Sequence, residues 1–130
     1  MTPEEEILKN SKVIAVVGLS NDPDRPSNQV AKYLKEKGYK IIPVNPNEKA
    51  ILGETCYPDL SSIPGKVEIV DIFRRSEDVP PIAKEAVKIG AKVVWMQEGI
   101  ISEEAASIAR QAGLKVVMDR CAKKVHEGMG

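Results

Sequence analysis

The stretch Gly18-Leu19-Ser20-Asn21-Asp22-Pro23-Asp24-Arg25-Pro26-Ser27-Asn28 brings a glycine, hydroxyls and an arginine to the start of a run with helical spacing. A helix N-terminus offers free N–H donors and a partial positive charge, so this loop has the makings of an anion site. Gly18 permits close backbone approach, Ser20 and Ser27 add hydroxyl donors, and Arg25 adds a planar fork that matches phosphate. An ordinary capped turn is the competing reading of the same residues. The dinucleotide fingerprint GxGxxG is absent, because residues 18–28 hold one glycine. The acid that would hold an adenosine ribose is missing too, since the next strand ends in Pro43-Val44-Asn45-Pro46-Asn47. NAD(P) is therefore disfavoured, while a nucleotide with another phosphate geometry is not.

Three further stretches carry usable chemistry. Asp71-Ile72-Phe73-Arg74-Arg75 sets two arginines beside the one phenylalanine, types that suit phosphate and adenine, or else a pair of surface charges before a helix. Val94-Trp95-Met96-Gln97-Glu98-Gly99-Ile100 carries a tryptophan that reads as core, followed by Gln97 and Gly99 as polar and close-approach positions. Met118-Asp119-Arg120-Cys121 adds a thiol. No Ser-His-Asp, Cys-His or paired-carboxylate constellation is visible, so no catalytic residue is assigned. The sole histidine, His126, is expected to be solvent-exposed, and with so little nitrogen and sulfur ligand no metal site is expected.

These stretches need a scaffold that brings them together. Gly38-Tyr39-Lys40-Ile41-Ile42, Gly90-Ala91-Lys92-Val93-Val94 and Gly113-Leu114-Lys115-Val116-Val117 repeat one pattern: a glycine, a lysine two residues on, then a strand-forming run. Each glycine follows a helical stripe, such as Val79, Ile82, Ala83 and Ala86, or Ala105, Ile108, Ala109 and Ala112, and reads as a helix C-cap. Helix starts are expected at Ser76 and Ser102, each followed by acids, and at Ser27 or Asp24. Five strands follow, at about 13–18, 40–45, 67–73, 92–97 and 115–119, continuously apolar as in a covered parallel sheet. The expectation is a three-layer α/β/α, Rossmann-like, doubly wound five-stranded sheet with strand order 3-2-1-4-5, and a site at the ends of strands 1 and 4. Residues 46–66, rich in proline and glycine, read as a loop with an extended piece at Ala50-Ile51-Leu52 and one helical turn near Asp59–Ser62. A short helix is expected over about residues 3–10.

The chain of 130 residues is expected to form one domain over its length. Nineteen basic and nineteen acidic residues balance, with no basic stripe, which excludes the usual signature of a nucleic-acid binder. No apolar run approaches the length of a membrane span, and the acidic start Glu4-Glu5-Glu6 is unlike a targeting peptide. A cytoplasmic location with Cys56 and Cys121 reduced is expected.

In order along the chain, Val17-Gly18-Leu19-Ser20, Arg25-Pro26-Ser27, Val44-Asn45-Pro46, Phe73-Arg74, Trp95-Met96-Gln97-Glu98-Gly99 and Asp119-Arg120-Cys121 resemble the small stand-alone CoA-binding domain proteins. Those are similar to the CoA-binding domain of the succinyl-CoA synthetase α subunit. The resemblance covers roughly residues 10–126. It implies coenzyme A or an acyl-CoA as ligand, with Gly18, Ser20, Arg25 and Ser27 holding the phosphates and Leu19, Pro26 and Asn28 of the same loop also counted among the ligand-binding residues. Val44, Asn45 and Pro46 would line the nucleotide pocket, Phe73 and Arg74 would flank the adenine end, and Gln97 and Gly99 would border the pantetheine arm, with Trp95 also counted among the ligand-binding residues. It implies a carrier, sensor or regulatory module without catalysis, with a protein partner or homo-oligomer left open, since the phosphorylated-histidine domain of the ligase has no counterpart here. The alternatives are a small CoA-dependent enzyme or CoA-thiol redox protein using Cys121, and an NAD(P)-binding regulatory domain.

Overall fold

The computed structural model describes residues 1–129. Thr2 opens α1 (Pro3–Asn10) through a capping box, its Oγ1 accepting from Glu5 N–H while its own N–H donates to the Glu5 carboxylate. The helix lays Ile7 and Leu8 onto the core. There follow β1 (Val13–Val17), α2 (Pro26–Glu36), β2 (Lys40–Val44), the short β3 (Ala50–Ile51) and β4 (Glu54–Thr55), and β5 (Ile69–Ile72). Next come α3 (Val79–Lys88), β6 (Val93–Met96), α4 (Glu103–Gln111), β7 (Lys115–Val117) and α5 (Ala122–Glu127). Gly38, Gly90 and Gly113 follow their helices with positive φ, as C-cap positions require.

Five strands form one all-parallel sheet in the order β2-β1-β5-β6-β7. The runs are apolar at consecutive positions because alternate side chains feed two separate layers. Ile14, Val16, Ile41, Ile69 and Trp95 pack toward α1, α2 and α5, whereas Val17, Ile42, Val70, Val94 and Met96 pack toward α3 and α4. The Rossmann-like, three-layer class is thereby confirmed.

The order of strands within it is 2-1-3-4-5 when the five are counted along the chain, not 3-2-1-4-5. The third of these strands, β5, takes the free side of β1, with Val17 opposite Ile72. The outer edge of β2 is occupied by another segment: Tyr57 N–H donates to Pro43 O at 3.0 Å and Asn45 N–H to Tyr57 O at 2.9 Å. Pro43 lacks the N–H that an interior strand needs on that side, which makes β2 an edge strand. The point of reversal therefore lies between β1 and β5, rather than between the first and fourth strands.

The second crossover follows expectation in its main features. Ala50–Ile51 is one arm of a hairpin with Glu54–Thr55, and a 3-10 turn at Leu60–Ser62 is capped by Asp59. Helix starts differ in two places. Arg25, not Ser27 or Asp24, sits at the N-cap of α2, with Pro26 at the first helical position. Ser76 begins a 3-10 turn ahead of α3, and its hydroxyl accepts from Ile101 N–H instead of capping. Ser102 caps α4 as expected.

Gly18 ends β1 with φ +84°, and its N–H donates to Val44 O. A Cβ at this position would lie 2.3 Å from Phe73 O and 2.9 Å from Arg74 Cδ. Gly38 shares the left-handed conformation, but nothing lies within 4 Å of its missing Cβ. Gly18→Ala should therefore lose roughly 2–4 kcal/mol of unfolding free energy, against about 1 kcal/mol for Gly38→Ala. Urea unfolding of the two variants checks this; equal losses would contradict the close approach.

Candidate functional site

From the carboxyl ends of β1 and β5 the chain departs toward opposite layers, to α2 on one side and α3 on the other. Divergence at such a reversal opens a crevice. Here it is a cleft of about 720 Å³, within the usual range for small-molecule sites. Gly18, Ser20, Arg25, Pro26, Ser27, Phe73, Arg74 and Gln97 line it, so eight candidate positions are brought together.

Free N–H donors and arginines gather at the helical end of the cleft. The first turn of α2 has no acidic residue and no side-chain cap on its N–H groups. Ser27, buried, accepts from Ser20 N–H at 2.9 Å, and Asn28 Nδ2 donates to Ser20 O at 2.9 Å, which pins the loop over the helix start. Arg25 is exposed and has no ion-pair partner among the described residues. Across the cleft, Arg74 contacts Asp78 at 3.5 Å, and Arg75 contacts Glu77 and Asp78 at 3.5 Å. Exposed pairs of that length are weak, so both guanidiniums remain available to an incoming anion.

Gln97 forms the floor at the other end. Its Nε2 donates to Asp71 Oδ1, and its Oε1 accepts from Ala122 N–H at 3.3 Å. Asp71 is 1% exposed, and its Oδ2 has no hydrogen-bond partner in the structure. Burial pushes its carboxyl up from 3.8 to about 7, against the pull of the Gln97 amide and the Ile72 N–H. Ser27, Asn28, Asp71 and Gln97 are the buried polar side chains among the described residues, and two of them line this cleft.

The remaining candidates lie outside the lining and act on it indirectly or not at all. Leu19 and Val44 are core, and Trp95 is fully buried with its Nε1 donating to Arg120 O. Asn45 Nδ2 donates to Leu19 O at 3.0 Å, which ties the phosphate-type loop to the end of β2. Pro46 is exposed away from the cleft, and Gly99 commits its N–H to Asp119 Oδ1 at 2.7 Å. His126 is half-buried, not exposed, sharing a 2.8 Å hydrogen bond with Tyr33 on the far side of α2.

Sequence reasoning left Val30, Asp78 and Glu98 unassigned, along with Ile100, which takes the lining place expected of Gly99. Cys121 does reach the rim, and Arg75 lines the cleft beside Arg74. Asp71 carried a usable signal: it is the one charged residue inside the β5 run Ile69–Ile72.

Family comparison agrees with this geometry. A family model described as "CoA binding domain" matches residues 12–127. The chain belongs to that family. This CoA-binding domain is 46% identical over 122 residues to a Bacillus subtilis (strain 168) protein named "Uncharacterized protein YneT", covering 94% of this chain and 90% of that one. It superposes on a structure titled "hypothetical protein from Pyrococcus horikoshii OT3" with TM-score 0.95 and 44% identity, covering 98% of this chain and 90% of that one. It is also 32% identical over 123 residues to the α subunit of the ADP-forming acetate–CoA ligase II of Pyrococcus furiosus. That match takes in 86% of this chain but 27% of the ligase subunit, so the domain corresponds to one part of a larger enzyme.

The displaced Asp71 carboxyl sets a pH dependence of folding. Between its ordinary 3.8 and its folded value of about 7, the native state keeps a proton that the unfolded chain has lost. Stability therefore falls as pH rises through that window and levels off above it. Asp71→Asn removes the ionisation, so its unfolding free energy should gain on that of the parent between pH 5 and pH 8, by on the order of a few kcal/mol. Parallel pH curves for the two proteins would contradict the assignment.

Proposed function

We propose that this domain binds coenzyme A or an acyl-CoA non-covalently at the carboxyl edge of its sheet, as a carrier, sensor or regulatory module with no catalysis of its own. The observation that carries the reading is the meeting of an uncapped helix start with Arg25, Arg74 and Arg75 around a single cleft. CoA presents a pyrophosphate and a ribose 3′-phosphate, so it needs several cationic and N–H donors at one end. Gly18, Ser20, Arg25 and Ser27 would hold the phosphates, and Phe73 and Arg74 would flank the adenine. Gln97 would meet the pantetheine arm, whose amides want a fixed polar partner.

The donor set fits this group. Arg25 is unpaired among the described residues, and no acid faces the helix start from its own first turn. The belonging of the chain to the CoA binding domain family supports the same ligand. A cytoplasmic location goes with it, since Cys56 and Cys121 are both free thiols. The ligase relatives are longer than this chain, and a protein partner that supplies chemistry is compatible with that difference. One observation favours a second reading: Cys121 lines the cleft, so its thiolate could attack a disulfide of oxidised CoA, forming a Cys121–CoA mixed disulfide and releasing the other half as a thiol.

Calorimetric titration tests the leading reading. CoA should bind more tightly than NAD or ATP, and Arg25→Ala should lose about 1.5–3 kcal/mol of CoA binding, roughly 10- to 150-fold in affinity. Equal heats for CoA and acetyl-CoA, with no covalent adduct, support a carrier or sensor over thiol chemistry. Tighter binding of NAD than of CoA would overturn the assignment.

A further inference from the structure

We propose that Asp71, which does not line the cleft, is a positioning residue that locks the Gln97 amide so that its spare Nε2 hydrogen is presented to the ligand as a donor. The proposal rests on the CoA reading above and adds a residue that acts through another.

The geometry leaves the amide one arrangement. An ionised carboxylate only accepts hydrogen bonds, so the group facing Asp71 Oδ1 must be the NH2 of Gln97. The Ala122 N–H only donates, so the group facing it must be the Gln97 oxygen. With the carboxyl ionised both anchors act together, and a flip would break both. Main-chain bonds fix the base of the side chain as well: Gln97 N–H donates to Ile72 O, and Gln97 O accepts from Ile100 N–H at 2.9 Å. One Nε2 hydrogen remains uncommitted, on a residue that is 2% exposed and lines the cleft floor. A pantetheine carbonyl is an acceptor of the matching type.

The cost of the arrangement argues that it is retained for the site. A carboxylate in an apolar layer, with one oxygen unpaired, opposes folding unless something else selects it. Asp71 lies between Val16 of β1 and Trp95 of β6 on the layer covered by α1, α2 and α5. The helices add no charge there: α1 buries Ile7 and Leu8, and α2 buries Ser27, Asn28, Val30, Ala31 and Leu34. The titratable groups of the same layer are Cys56, Tyr33, Tyr39 and Cys121, thiols and phenols rather than acids or cations. With no charge partner, burial leads in holding the Asp71 carboxyl near 7. Protonation gives it an O–H that competes to donate to Gln97 Oε1, and the lock loosens.

The experiment compares CoA with adenosine 3′,5′-bisphosphate, which has phosphates and adenine but no pantetheine arm, by calorimetry at pH 6 and pH 8. In the parent protein the ratio of CoA to bisphosphate affinity should rise by roughly three- to tenfold from pH 6 to pH 8. Asp71→Asn keeps an acceptor for Gln97 but cannot ionise, so its ratio should be the same at both pH values. Asp71→Leu should weaken CoA by about three- to tenfold at pH 8 and leave the bisphosphate unchanged. An unchanged bisphosphate affinity also shows that the variant is folded. A ratio independent of pH in the parent, or Asp71 variants that lose both ligands together, would overturn the positioning role. Failure of the parent protein to bind CoA at all would remove the CoA reading itself, and this proposal with it.

Discussion

Val17 at the end of β1 is paired with Ile72 at the end of β5, and from these neighbours the chain leaves toward opposite faces of the sheet. Every feature of the cleft descends from that divergence. It sets the start of α2 against the Phe73-Arg74 corner, close enough that only a residue without a Cβ fits at position 18. It also gives the loop a fixed width, because Asn45 and Ser27 tether Leu19 and Ser20 from both sides. A loop whose backbone is tethered in this way loses less entropy when an anion arrives at its N–H groups.

Polar groups are distributed to the same end. Burying a polar side chain is unfavourable unless it is hydrogen-bonded, and the buried cases here mostly meet that condition within or beside the cleft. Asp71 meets it by half. Its unpaired oxygen stores a cost that the remaining apolar layer, with Trp95, Leu34 and Ile69 fully buried, can carry. The opposite, amino-terminal rim of the sheet shows the contrast: Glu68 accepts from the N–H groups of Lys12 and Val13 and is held below the usual carboxylate range by those bonds. There a carboxylate satisfies backbone N–H groups at the foot of a strand.

Local rules carried much of this architecture. The recurring glycine before a strand marked three helix ends, because a left-handed C-cap is nearly private to glycine, and the β-branched runs marked five strands. Strand order was harder to read, since it depends on which edge of β1 receives β5. Pro43 held the answer in its missing N–H, but a proline inside an apolar run reads as an interruption until its direction is known. In the cleft, the loop residues Gly18, Ser20, Arg25 and Ser27 were legible because they are contiguous. Ile100 and Glu98 were not, because which side of a turn lines a cleft is settled by tertiary placement. Trp95 and Gly99 sit in a recognisable motif, yet the one packs the core and the other serves Asp119, so the motif identifies the region more sharply than each residue's task.

A crystal structure of the protein with CoA tests the central claim most directly. The account predicts phosphate density against the first turn of α2 beside Arg25, adenine near Phe73, and the pantetheine arm running over Gln97 toward Cys121. Ordered CoA bound elsewhere on the molecule, or reversed in the cleft with its thiol at the helix start, would contradict it.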